Sequence, residues 1–207
     1  MGFDKIILKA VLSTLAAMVI LCGALLLSLT FIFPSTMMEI SYKLGMDNAS
    51  VRYATRAYQQ SGEEEIYYIA FATEVSIGVK DSKKIEECAQ QLVQNENFAT
   101  YCQEIDQRNG ANNEYVHYVY GQLCMAKYNN GKELEAIELA FNSFENGFPA
   151  NNAVGAVLVA AIHASDTQSV CKISEKLDQI NIDEQALSQA ETAYLQQIRL
   201  VIQQWTD

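Results

Sequence analysis

The chain has 207 residues, half of them apolar, and a formal net charge of −11. That length holds one domain plus a membrane segment, with enough chain to bury a core without disulfide or metal staples. An acidic chain repels phosphate backbones, so composition argues against a nucleic-acid partner.

Residues 1–9 form a short tail carrying Asp4, Lys5 and Lys9, and no charge follows until Glu39. Residues 10–33, AVLSTLAAMVILCGALLLSLTFIF, are 24 in number. As a helix they reach about 36 Å, enough to cross a bilayer with some tilt, so they are expected to be a transmembrane helix in contact with lipid. A cleaved signal peptide is the rival, but its apolar region is shorter and ends in a small-x-small site. This run ends in Phe31-Ile32-Phe33-Pro34, which favours an uncleaved anchor. Lys5, Lys9 and the terminal amine, set against Lys43 and Arg52, lean toward a single-pass protein with a cytoplasmic N-terminus. The C-terminal domain is then extracytoplasmic.

Residues 34–47 read as a linker and 48–207 as a helical domain. Leu134, Ile137, Phe141 and Phe144 keep a helical spacing, and Leu187, Tyr194, Ile198, Val201 and Trp205 mark a stripe along the last helix. Breakers such as Ser61-Gly62, Asn109-Gly110, Asn129-Asn130-Gly131, Gly147 to Pro149 and Asn181 to Asp183 divide the chain. The spacing predicts helices near 48–60, 63–77, 82–94, 97–107, 113–129, 132–146, 151–165, 167–179 and 184–206. The run at 153–162, AVGAVLVAAI, is apolar all round but too short to span a bilayer, and reads as a buried central helix.

The helices pair with a regular offset. Ala54, Ala89, Cys124 and Val159 are 35 residues apart. Seven residues further on, Ser61, Glu96, Gly131 and Asp166 fall at turns. Five beyond those, Ile66, Tyr101, Ala136 and Cys171 fall in the second helix of each pair. A helix–turn–helix period near 34 residues marks helical-repeat architecture. Residues 118–149 in particular resemble a degenerate tetratricopeptide repeat. Leu123-Cys124 stands at the family's Leu-Gly, Gly131 at the turn glycine and Ala136 at the small residue of the second helix. Tyr128 and Pro149 each sit one place late for the family pattern.

The resemblance implies an all-α fold, an α-solenoid of about four helical hairpins closed by a C-terminal capping helix. It also implies that the first helix of each pair lines a peptide groove. In this register the groove residues are Tyr58, Gln59, Lys83, Glu86, Gln90, Gln94, Tyr118, Met125, Tyr128, Asn129 and His163. The expected function is a membrane-anchored protein- or peptide-binding scaffold, assembly factor or adaptor, with a membrane-associated partner and no cofactor. Two rivals stay open: a structural subunit of a membrane complex without its own groove, and an enzyme with an unrecognised site.

No enzyme activity is expected from the motifs. His117 and His163 lie in no recognisable arrangement, and no phosphate-binding loop, nucleophile elbow or metalloprotease motif occurs. No C-x-x-C pair exists. Cys88 and Cys102 flank the turn at Asn95 equally, so a disulfide between them is possible in an oxidising compartment. Cys124 and Cys171 are expected as small buried apolar residues. Glu63-Glu64-Glu65 reads as a helix-start acidic cluster rather than a cation site.

Overall fold

The computed structural model describes residues 3–62, 65–111, 114–142, 151–180, 182 and 187–206. Their secondary structure is entirely helical: α1 (Phe3–Ile32), α2 (Pro34–Lys43), α3 (Asp47–Gln60), α4 (Ile66–Gly78), α5 (Ser82–Gln94), α6 (Phe98–Asn109), α7 (Glu114–Asn129), α8 (Glu133–Asn142), α9 (Asn151–His163), α10 (Thr167–Gln179) and α11 (Gln189–Thr206). Glu63, Glu64, Phe144, Gly147 to Pro149 and Asn181 lie outside the described residues. The chain divides into two compact units, residues 1–68 and 69–207. The border falls inside α4, whereas the sequence reading draws it at 47/48.

In the first unit, α1 contains a stretch, Lys9–Ile32, with a mean hydropathy of 2.6 and none of it buried in protein. It is long and apolar enough to cross a membrane. Its four hydroxyl side chains are satisfied within the helix. Ser13 and Thr14 donate to the Ala10 carbonyl, Ser28 to Ala24 and Thr30 to Leu27, at 2.7–2.9 Å. Hydrocarbon offers no partner for such groups, so this back-bonding removes the cost of placing them there.

Pro34 has no N–H to continue the ladder, and α1 stops before it. The same proline suits the first turn of a new helix. Residues 34–43, read as linker, therefore form α2, which packs closely on α3 and buries Met38 and Ser41, one turn apart.

In the second unit α7 packs between α5 and α9. It buries Val119, Leu123, Cys124, Ala126 and Tyr128. Helix α8 packs on α7 and α9, α10 on α9 and α8, and α11 on α10 and α9. Ile137, Phe141, Val154, Val157, Ile173, Leu195 and Ile202 join one continuous core. Gly131 closes the α7–α8 turn at φ 77°, a conformation only glycine adopts cheaply. Asp81 and Asp166 cap α5 and α10 by accepting the Lys84 and Ser169 N–H groups.

The small residues of the 35-residue register are only partly interior. Ala54, Ala89 and Cys124 are fully buried, but Val159 is 47% exposed. Cys171, expected inside, is exposed. The buried stripe of α10 is instead Val170, Ile173 and Leu177, one position out of phase with it. Leu134 keeps the helical spacing yet remains 60% exposed in the first turn of α8. As expected, most of α9 is interior. The last helix begins at 189 rather than 184, because Ser188 and Glu191 form a reciprocal capping box. The Ser188 N–H donates to Glu191 Oε2 at 2.7 Å, and the Glu191 N–H donates to Ser188 Oγ at 3.3 Å.

Candidate functional site

An open, largely apolar hollow of about 450 Å³ lies between α7, α9 and α11 in the second unit. Leu158, Val159, Ile162, Ile198 and Val201 line it together with Tyr118, Gln122, Tyr194 and Gln197. Among the described residues none of those lining it is charged. Gly155 makes room for this wall. A Cβ built there would collide with the Tyr194 hydroxyl and lie 3.2 Å from the ring carbon Cζ. The phenol therefore lies flush on α9, where a larger residue would push it into the hollow.

A second hollow of about 320 Å³ lies beside Ile77, Ser82, Ile85, Gln122, Met125 and Asn129. Gln122 lines both hollows. Tyr118, Met125 and Asn129, predicted for the groove, thus line the exposed face of α7.

Other predicted groove residues are occupied in holding the fold. The Glu86 side chain is 14% exposed. Its Oε1 accepts from Lys132 Nζ at 2.7 Å and Lys127 Nζ at 3.4 Å, and its Oε2 accepts from Asn130 at 2.7 Å. Asn130 also donates to the Ser82 carbonyl. This network ties α5 to the α7–α8 turn. Tyr128 is buried, and its hydroxyl donates to Asp166 Oδ2 at 2.6 Å, joining α7 to the cap of α10. Burial, together with the Asp166 carboxylate, pushes the Tyr128 phenol up to about 12.

Lys83, Gln94 and His163 are exposed and Gln90 is half-buried, and none of these four lines either hollow. Tyr58, which is buried, and Gln59 belong to the first unit.

A phenol cluster adjoins Tyr118. The Tyr115 hydroxyl donates to Glu74 Oε1 at 2.8 Å and Tyr118 to Glu74 Oε2 at 3.4 Å. The Tyr101, Tyr115 and Tyr118 rings are in edge or tilted contact, with neighbouring centroids 6.0 Å apart. Burial and the Glu74 carboxylate push Tyr118 up to about 12, so both phenols are neutral donors at physiological pH. His117 is half-buried. Burial holds it below the ordinary histidine range, against the opposing charges of Asp106 and Glu191.

Cys88 and Cys102 are both buried. Burial and Asp106 raise the Cys102 thiol to about 12, and burial raises Cys124 to about 12, so neither is a ready nucleophile. No group of three or more metal-ligating side chains occurs among the described residues.

The sequence reading missed Gln122, Gly155, Val159, Ile162, Tyr194, Gln197 and Val201. Gln122 was within reach, since it lies one helical turn from both Tyr118 and Met125. The α11 residues were not, because that helix was read only as a cap. No family model matches this chain, and no curated protein or solved structure matches it.

Proposed function

We propose that this protein is a membrane-tethered array of helical hairpins, tetratricopeptide-like in plan, which binds an apolar segment of a partner protein. The hollow between α7, α9 and α11 carries this reading. It combines aliphatic side chains with the amides of Gln122 and Gln197, a lining suited to burying a side chain while hydrogen-bonding the backbone beside it. The order of packing supports the repeat reading. Helices α5, α7 and α9, the first members of successive 35-residue units, lie side by side, with α8 and α10 against them. Helix α1 is the membrane anchor, and the balance of flanking lysines and arginines favours a cytoplasmic N-terminus with the 69–207 unit on the opposite side.

A photo-crosslinking residue in place of Val159 in the membrane-inserted chain tests the hollow. The expected result is a discrete adduct with a partner protein, lost when Val201→Asp puts a charge in the lining. The same crosslinker at Glu175, exposed on α10, gives none. Equal adducts at both sites would refute the proposed groove.

The exposure of Cys171 makes topology simple to read. A membrane-impermeant maleimide labels it in intact cells, and Cys171→Ser removes the signal. Labelling only after lysis places the unit in the cytoplasm and reverses the orientation.

A further inference from the structure

We infer that the α2–α3 hairpin is a second membrane contact, an interfacial module seated in the headgroup region of the leaflet where α1 emerges. The inference rests on α1 being the membrane helix.

Its first support is how the hairpin is held. Helix α2 begins one residue after the apolar span ends, and α3 is tied back to the same end. Arg56 Nη1 donates to the Thr30 carbonyl at 3.1 Å, and Gln60 Nε2 donates to the Phe31 carbonyl at 2.8 Å. These carbonyls belong to the last turn of α1, where the ladder leaves acceptors unpaired and the dipole favours a cation. Arg56 and Gln60 are one turn apart on a single face of α3, yet they meet consecutive carbonyls. Both side chains thus hold α3 to the last turn of α1. The Arg56 guanidinium also lies over the Phe31 ring, 4.6 Å from its centroid. An aromatic–cation pair at the end of an apolar span is what the bilayer interface selects.

The second support is the surface left uncovered. Ile40, Tyr42, Leu44 and Met46 are all exposed, and Leu44 is 69% exposed. Phe33, Met37, Ile40 and Leu44 keep a helical spacing, and Phe33 directly follows the apolar span. The hairpin thus presents exposed apolar side chains close in sequence to the end of the segment that enters the membrane.

The third support is charge. Residues 34–62, on the hairpin's side of the span, hold three basic and two acidic side chains, a net +1, whereas residues 63–207 carry −13. Lys43, Arg52 and Arg56 supply the basic charge of the hairpin. Anionic headgroups attract the basic side chains of the hairpin.

Depth-dependent quenching of tryptophan in the full chain tests this, using vesicles with about one third phosphatidylglycerol. The background is Trp205→Phe, which removes the native tryptophan, with either Leu44→Trp or Leu27→Trp added. Lipids brominated at shallow acyl positions are expected to quench both single tryptophans severalfold. Quenching at 27 without quenching at 44 overturns the interfacial hairpin and leaves the anchor standing. No quenching at 27 overturns the anchor itself, and the inference with it. A Lys43→Glu/Arg52→Glu pair provides a further readout: it weakens quenching at 44 and leaves 27 unchanged. If the charge pair leaves 44 equally quenched, the electrostatic part of the inference is wrong.

Discussion

Leu123→Ala lowers the stability of the 69–207 unit by about 2–5 kcal/mol, while Leu134→Ala changes it by less than about 0.5 kcal/mol. The two residues are 11 apart on adjoining helices, and both fit the helical hydrophobic pattern. Their surroundings differ completely. Leu123 is fully buried on α7, the helix that packs on both α5 and α9, so its removal leaves a cavity in the interior of the unit. Leu134 is largely in solvent. Urea unfolding of the detergent-solubilised chain, followed by circular dichroism, measures both. Equal losses at the two positions would mean that α7 is not the centre of the unit.

That contrast shows where the sequence was informative. Helix type and most boundaries follow from periodicity and breakers, and eight of the predicted domain helices have counterparts within a few residues in α3 to α10. Orientation about the helix axis is harder to read. It depends on which neighbours arrive, as Leu134, Cys171 and Val159 show. All three are small or apolar residues at plausible core positions, and each faces outward because another stripe of its helix is the one that packs. Helix α2 lies in the stretch 34–47 expected as a linker, although a proline at its first position is a helix-start signal. The capping box at Ser188-Gln189-Ala190-Glu191 was legible and overlooked.

The candidate site was less legible than the fold. The register carried Tyr118, Met125 and Asn129 onto the open face of α7, but it also selected Glu86 and Tyr128, whose polar atoms serve packing. Nothing in residue type separates a tyrosine on an open helix face from one that caps a neighbouring turn. The hydroxyls of Tyr118 and Tyr128 both have a carboxylate acceptor, Glu74 and Asp166, and what differs is that Tyr128 is buried and Tyr118 only half-buried.

Glu86→Ala is the second large effect, a loss of about 1.5–3 kcal/mol, because it strands a largely buried ammonium and an amide. The Lys127 side chain is only 11% exposed, and with Glu86 gone it retains only Glu135, at 3.1 Å, of its two ion-pair partners. Asn130 would keep the Ser82 carbonyl alone of its two acceptors named here. The effect has a defined pH signature. Burial raises the Glu86 carboxyl, but hydrogen bonds from Lys132 and Asn130 and the charges of Lys127 and Lys132 outweigh it, so the group sits below its ordinary value of 4.5. A carboxyl depressed in the folded state contributes fully above its unfolded pKa. That contribution disappears as pH falls through the folded pKa. The stability gap between wild type and Glu86→Ala is therefore widest at neutral pH and narrows once pH drops below about 4.5. Comparing the two chains at pH 7 and pH 3 removes the shared contributions of Asp166 and Glu191, whose carboxyls are also lowered. A gap of the same size at both pH values would show that Glu86 acts through packing and not as an anion, and the network would have to be reassigned as incidental to the α5–α7 contact.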